Sequence, residues 1–342
     1  VHDVLMHVPE LRTASRRADR AAAAQWREER RVMREEGRED GWALPLQLAL
    51  VTDGSDRGLA EMVRAGGADV IGLLAPEALE SLVWAAEAQA DHGYSALDAL
   101  AADAVDAACL DLPLAESCRV ANLLLEDGVS VVLARPELPE RATVRALLDA
   151  AGVGASSAVL ALRTRGWRSL ADAARLLAEI GPLSQLTVMG WPSGRPARAE
   201  LCDVVRRLCG DVVAVCASAS AMPAHELAAT APVTLSLLTS GGATVLASES
   251  PKSAFSQAQL TLVGRAGRLV VGQRSLQISD RWGVRDIAVA APADPIRVAT
   301  EGLRDDLAGH PSSAAGLGDA LAVARIMELA AISYDADTWV EA

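Results

Sequence analysis

Aromatic residues are scarce in this chain: one phenylalanine, two tyrosines and seven tryptophans make up 3% of its 342 residues. Its cores must therefore be built mostly from Leu, Val, Ile and Ala, a habit of helices packed on sheets, which favours α/β or α+β. Positive charge is also short. Lys and Arg number 32 against 45 Asp and Glu, and the net charge of −13 repels a phosphate backbone and an anionic membrane alike. Neither nucleic acid nor membrane is expected as a partner. Five cysteines, Cys109, Cys118, Cys202, Cys209 and Cys216, form no C-x-x-C pair, and no His-x-x-x-His cluster is present, so no metal is expected. The odd count reads as small core residues of a reducing compartment. No apolar run reaches the roughly 18 to 20 residues of a membrane span, and the N-terminus lacks the layout of a signal peptide. The expected location is cytoplasmic.

What is present suits two domains, with 51% hydrophobic residues to fill two cores. Arg27, Arg30, Arg31 and Arg34 interleave with Glu28, Glu29, Glu35 and Glu36 as helical neighbours, the pattern of a solvated helix face. Gln47 to Thr52 is an apolar strand ending on Asp53-Gly54-Ser55-Asp56, with a helical stretch after it from Arg57 to Ala65. Ala68 to Leu74 leads through Pro76 into a helix near Glu77 to Asp91. Asp106 to Leu112 is a strand stopped by Pro113, a helix covers Ala115 to Glu126, and Val129 to Ala134 is the next strand. Such alternation predicts a doubly wound parallel sheet, whose ligands bind beyond the carboxyl ends of the strands. That singles out Asp53, the stretch from Asp111 to Leu114, and Arg135-Pro136.

Beyond about residue 150 the pattern shifts. A strand near Ala158 to Leu162 and a helix near Ser169 to Ile180 precede strand-like runs at Gln185–Met189, Val212–Cys216, Val233–Leu238, Ala243–Ala247, Gln259–Val263 and Leu269–Val271. Turn signals at Gly241-Gly242 and Gly264 to Gly267 suit an antiparallel or mixed sheet. Helices near Pro295–Ala308 and Leu317–Ala331 close the chain. The expected division is residues 1–150 and residues 151–342.

The stretch from Asp106 to Pro136, D-A-A-C-L-D-L-P-L-A-E-S-C-R-V-A-N-L-L-L-E-D-G-V-S-V-V-L-A-R-P, resembles the core of the glucose-fructose oxidoreductase / inositol dehydrogenase (Gfo/Idh/MocA) family. There a strand ends on a Pro-containing loop, a helix follows, and a Gly-containing turn leads to a strand ending in Glu-Lys-Pro. Gly316 to Val340 resembles the family's last helix and tail. The resemblance implies a dinucleotide-binding domain followed by an α+β domain with an open-faced sheet used for homo-oligomerisation. It also implies NAD(P)-dependent oxidation or reduction of a sugar, cyclitol or related polyol.

The family's first strand ends in a Gly-rich turn against which the pyrophosphate packs. No such fingerprint precedes Asp53, and His2 to Arg12 resembles the helix that follows that turn. With Val at position 1, the expectation is a first domain lacking its opening strand and phosphate loop, the product extending upstream of Val1. The rival is a diverged protein that has lost the loop.

Each site residue carries two readings. Asp53, at the end of a buried strand, suits the adenosine ribose hydroxyls and favours NAD over NADP, or else is a turn or helix cap; Ser55 and Arg57 are the features that admit NADP. Leu112, Pro113, Arg135 and Pro136 are the remaining expected cofactor contacts. Arg135 stands where the family carries the Lys of Glu-Lys-Pro, with Ala134 in place of its Glu; an arginine orients a substrate but does not shuttle protons. The family's Asp-x-Gly-x-His-x-x-Asp pattern aligns with Pro196-x-Arg198-x-Glu200-x-x-Asp203, leaving Glu200 at the His position as a base if burial raises its pKa, with Asp203 on the same helix face. Arg163 and Arg165 read as substrate-binding side chains or as a surface loop. Trp167 and Trp191 read as sugar-stacking rings or, more simply, as core. The alternative to an enzyme is a non-catalytic homologue serving as a binding or oligomerisation module.

Overall fold

A computed structural model describes residues 13–36, 45–54, 58–103, 105–135, 137–218, 233–250 and 254–342. In chain order the elements begin with α1 (Thr13–Glu36), β1 (Leu46–Thr52), α2 (Leu59–Ala65), β2 (Ala68–Leu74), α3 (Ala78–Glu87), β3 (His92–Tyr94) and α4 (Leu97–Ala102). There follow β4 (Ala107–Asp111), α5 (Leu114–Glu126), β5 (Ser130–Leu133), α6 (Arg141–Gly154) and β6 (Ala158–Leu160). Next come α7 (Arg168–Ile180), β7 (Leu183–Pro192), α8 (Arg195–Cys209), β8 (Val212–Ser218), β9 (Thr234–Thr239), β10 (Thr244–Ser250), β11 (Gln259–Gly264), β12 (Gly267–Gly272), β13 (Leu276–Asp280) and β14 (Gly283–Ile287). The last are α9 (Pro295–Leu307), β15 (Ala315–Gly316), α10 (Leu317–Ala336) and β16 (Val340–Glu341). No helix among the described residues is long and apolar enough to cross a membrane.

The chain divides into two compact units, the first made of residues 1–162 and 294–318, the second of 163–293 and 319–342. This differs from a break at residue 150. β6, assigned from sequence to the second domain, pairs in parallel with β5 through Val131↔Ala158 and Leu133↔Leu160, and α9 packs on α2 in the first unit. Pairing and packing partners, rather than position along the chain, decide which unit an element joins.

The first unit carries a seven-stranded sheet in the order β15-β6-β5-β4-β1-β2-β3, parallel except for β15. β1 lies inside it, paired with β2 (Leu48↔Val70) and with β4 (Leu50↔Cys109). Leu46, Leu48, Ala49, Leu50 and Val51 are buried on both faces, which is why the segment reads as an unbroken apolar run. The opening strand expected to be missing is therefore present as β1. The strand ending at Thr52 occupies the central place of a doubly wound sheet, and the order reverses between β1 and β4. His2 to Arg12, read as the helix after a lost turn, lies outside the described residues.

α1 corrects another reading. Glu28 and Glu29 are exposed as expected, but Arg27 is buried and donates to the carbonyls of Val105 (2.9 Å), Asp127 (2.8 Å) and Ala101 (2.7 Å). The helix is thereby pinned where α4 and α5 end, since their last carbonyls lack partners within the helix.

The second unit is built on a nine-stranded mixed sheet in the order β14-β13-β12-β11-β7-β10-β9-β8-β16, with β7 and β10 parallel and the other pairs antiparallel. Alternate residues such as Leu186, Val188, Leu237, Val245, Leu260 and Leu262 are fully buried. α7 packs against β11, β12 and β13, and α8 against β7. Their neighbours along the strands, Thr234, Leu238, Thr244, Leu246, Ser248 and Met189, are exposed. One face is covered and one is open, as the period of two requires.

Candidate functional site

In the first unit three strand ends supply the chemistry. Asp53 follows β1, Asp111 ends β4, and Arg135 lies two residues beyond β5. Because the sheet runs β5-β4-β1, the Arg135 side chain spans all three: its Nε donates to Asp111 Oδ1 at 2.9 Å and its Nη2 to Asp53 Oδ2 at 2.7 Å. Thr52 Oγ1 donates to Asp111 Oδ2 (3.3 Å) and accepts the Gly54 amide (2.9 Å). The Asp111 side chain is 8% exposed, whereas those of Asp53 and Arg135 are each 30% exposed. Partial burial works against the Arg135 charge, but its hydrogen bonds to Asp111 and Asp53 outweigh that and hold its pKa above the usual arginine value. Arg135 is thus a fixed cation at the point where the strand order reverses.

The turn after β1 contains Gly54 at φ +82°, and a Cβ there would overlap the Trp84 ring of α3. A cavity of about 350 Å³ runs beneath it between α2 and α3, with Leu50, Leu59, Leu73 and Trp84 in its wall and Glu61, Arg64 and Glu87 among its polar lining. Asp53 stands at the end of the first strand rather than the second, which removes the positional basis for the ribose reading. The residues following β2 are Ala75, Pro76 and the exposed Glu77, and the Ala75 amide is taken by Ser81 Oγ at 2.8 Å. Leu112 is buried and passes its carbonyl to Ser117 Oγ, while the exposed Pro113 caps α5. Ser55, Arg57 and Pro136 lie outside the described residues.

In the second unit α8 begins with Pro196 in its first turn and buries Arg198, Glu200 and Asp203. Glu200 is 1% exposed, and its Oε2 accepts the Thr164 amide at 2.8 Å. Burial pushes its carboxyl up to about 7, partly offset by the Thr164 amide and the Arg163 charge. Asp203, one turn on, holds Arg165 from two sides, Nε at 2.8 Å and Nη2 at 2.5 Å. Arg165 also donates to Asp319 Oδ2 at 3.0 Å, and Arg206 donates to Asp319 Oδ1 at 3.1 Å. Arg165 is neither a surface-loop residue nor an open cation: it belongs to a 3₁₀ turn over Arg163–Gly166, clamped by α8. Arg163 is exposed, with its guanidinium 5.6 Å from the centre of the Phe255 ring. Trp167 and Trp191 are buried against each other and Phe255, so both are core residues.

A central parallel strand, a glycine turn, a sheet order that reverses beside it and a separate open-faced mixed sheet together define a class of fold, a doubly wound α/β unit joined to an α+β unit. Among solved structures of that class, the chain is similar to an oxidoreductase from Agrobacterium radiobacter in complex with NAD+, L-tartaric acid and magnesium (16% identity, 87% of this chain and 98% of that one, TM-score 0.72). It is also similar to levoglucosan dehydrogenase in complex with NADH and levoglucosan (15%, 87% and 99%, TM-score 0.72) and to aldose-aldose oxidoreductase from Caulobacter crescentus complexed with glycerol (15%, 87% and 100%, TM-score 0.73). At these identities the likeness is one of fold, and it bears out the two-domain α/β architecture expected from the sequence. No family model and no curated protein matches the sequence.

Proposed function

We propose that this protein is an NAD(P)-dependent oxidoreductase that transfers hydride to or from a sugar, cyclitol or related polyol or ketone, with the dinucleotide bound beyond the carboxyl ends of β1, β4 and β5. The observation that carries this reading is the reversal of strand order between β1 and β4 with Arg135 fixed across it. The donor set fits an anionic dinucleotide in kind, since Arg135 supplies a permanent cation at the strand ends. The fold neighbours solved with NAD+ or NADH support the same reading. When bound, the cofactor supplies the hydride acceptor or donor.

The chain's own residues orient and move protons. Arg135 stays charged and so positions an anionic or hydroxylated group without exchanging its proton. Among the described candidates, Glu200 has the proton affinity suited to a base near neutral pH. NAD is the preferred cofactor, because among the described residues at these strand ends two carboxylates, Asp53 and Asp111, stand beside one arginine and disfavour a further phosphate. Arg163 is the substrate-binding candidate that remains exposed. The open face of the nine-stranded sheet is the proposed homo-oligomer contact, and five cysteines of which none forms a disulfide suit a reducing cytoplasm.

A second reading, a non-catalytic binding or oligomerisation module, is favoured by one observation: Asp203 is wholly buried and committed to Arg165. Titration with NADH and NADPH followed by a polyol panel separates the two. Saturable binding with turnover supports the enzyme, binding without turnover supports the module, and no binding of either nucleotide at millimolar concentration removes the oxidoreductase reading.

A further inference from the structure

The network at the end of β1 has an internal asymmetry. Asp111 is the more buried carboxylate, receives Thr52 Oγ1 as well as Arg135 Nε, and sits on a central strand. Asp53 follows β1 in the turn, is as exposed as Arg135 itself, and takes Nη2, which also donates to the Asp111 carbonyl oxygen at 3.4 Å. One carboxylate anchors the guanidinium through Nε; the other, more exposed, binds it through Nη2. A carboxylate and a phosphate oxygen make the same kind of charge-assisted contact with an arginine fork, so each displaces the other from Nη2.

We propose that Asp53 is a built-in competitor for the anionic bridge of the cofactor: Asp53 occupies Arg135 Nη2, and the dinucleotide binds by taking that position while Asp111 keeps Nε. The inference rests on the dinucleotide reading given above. It assigns Asp53 to control of cofactor affinity instead of ribose recognition, and it makes Arg135 a binding residue that Asp111 positions.

The test is calorimetric titration of the full-length wild type, Asp53→Asn and Arg135→Gln with NADH and, separately, with inorganic pyrophosphate, each variant first checked for an unchanged circular dichroism spectrum. Asn preserves shape and removes the charge. The expected result is that Asp53→Asn binds both probes at least about tenfold more tightly than wild type, or is the only form to bind measurably, while Arg135→Gln loses the pyrophosphate affinity. If wild type binds NADH and Asp53→Asn binds it equally or more weakly, the competitor role is wrong and the dinucleotide reading survives. If neither form binds either probe at millimolar concentration, both fall together.

Discussion

Replacing Glu200 with glutamine removes a buried charge and keeps an acceptor for the Thr164 amide, which now rests on Glu200 Oε2 at 2.8 Å. A carboxyl whose folded pKa is about 7 against an ordinary value of 4.5 favours folding most below the unfolded value and loses that advantage as pH rises through about 7. Relative to a side chain that never ionises, the raised pKa costs about 1 kcal/mol near pH 5.5, where the unfolded chain ionises and folded Glu200 stays protonated, and about 3 kcal/mol near pH 8.5. Glu200→Gln is therefore expected to gain roughly 2 kcal/mol on wild type between pH 5.5 and pH 8.5. Urea unfolding monitored by tryptophan emission reads it out, since Trp167 and Trp191 are buried in the same unit. A stability difference that stays constant across this pH range would refute the raised pKa of Glu200, whatever its sign.

Three further outcomes follow from the packing. Arg165→Met leaves the fully buried Asp203 carboxylate without its two-point partner and should destabilise the second unit by roughly 3–5 kcal/mol in the same urea assay. Gly54→Ala forces a Cβ into the Trp84 ring at a positive φ and should lower first-unit stability by about 2–4 kcal/mol; a smaller residue at Trp84 should return part of the loss in calorimetric melting. Arg27→Ala removes the side chain that ties α1 to four carbonyls, those of Ala101, Asp103, Val105 and Asp127, so limited proteolysis should clip α1 from the variant at protease concentrations that leave the wild-type helix attached.

The sequence revealed elements better than their places. Ala68–Leu74 is read at its observed bounds, and Asp106 to Leu112 differs from β4 by one residue at each end, because strands buried on both faces are continuous apolar runs with turn residues at their ends. β3 has only three residues, one of them an exposed histidine, and carries no such signal. Strand order is not a local property. A buried strand ending in Asp looks the same whether it stands first or second, and only pairing on both sides put β1 at the centre. The same holds for α9, whose strand partners β5 and β6 lie more than a hundred residues earlier.

At the candidate site, the rule that ligands gather at strand ends brought Asp53, Asp111 and Arg135 into view together, and the structure joins them in one network. The helical spacing of Glu200 and Asp203 was also legible. Asp319 was not, being 154 residues from the Arg165 it binds. The inward turn of Arg27 was hidden among glutamates that make every arginine near it look solvated.

The most direct test of the central claim is an NADH titration of the full-length protein, read by quenching of tryptophan emission. Trp84 lies against Gly54 at the end of β1, so binding beyond that strand end should quench it. The expected result is a saturable decrease that is reduced when Trp84 is replaced by phenylalanine. A signal that stays linear to millimolar NADH, with no heat of binding in a parallel calorimetric run, would contradict dinucleotide binding at the reversal of the sheet.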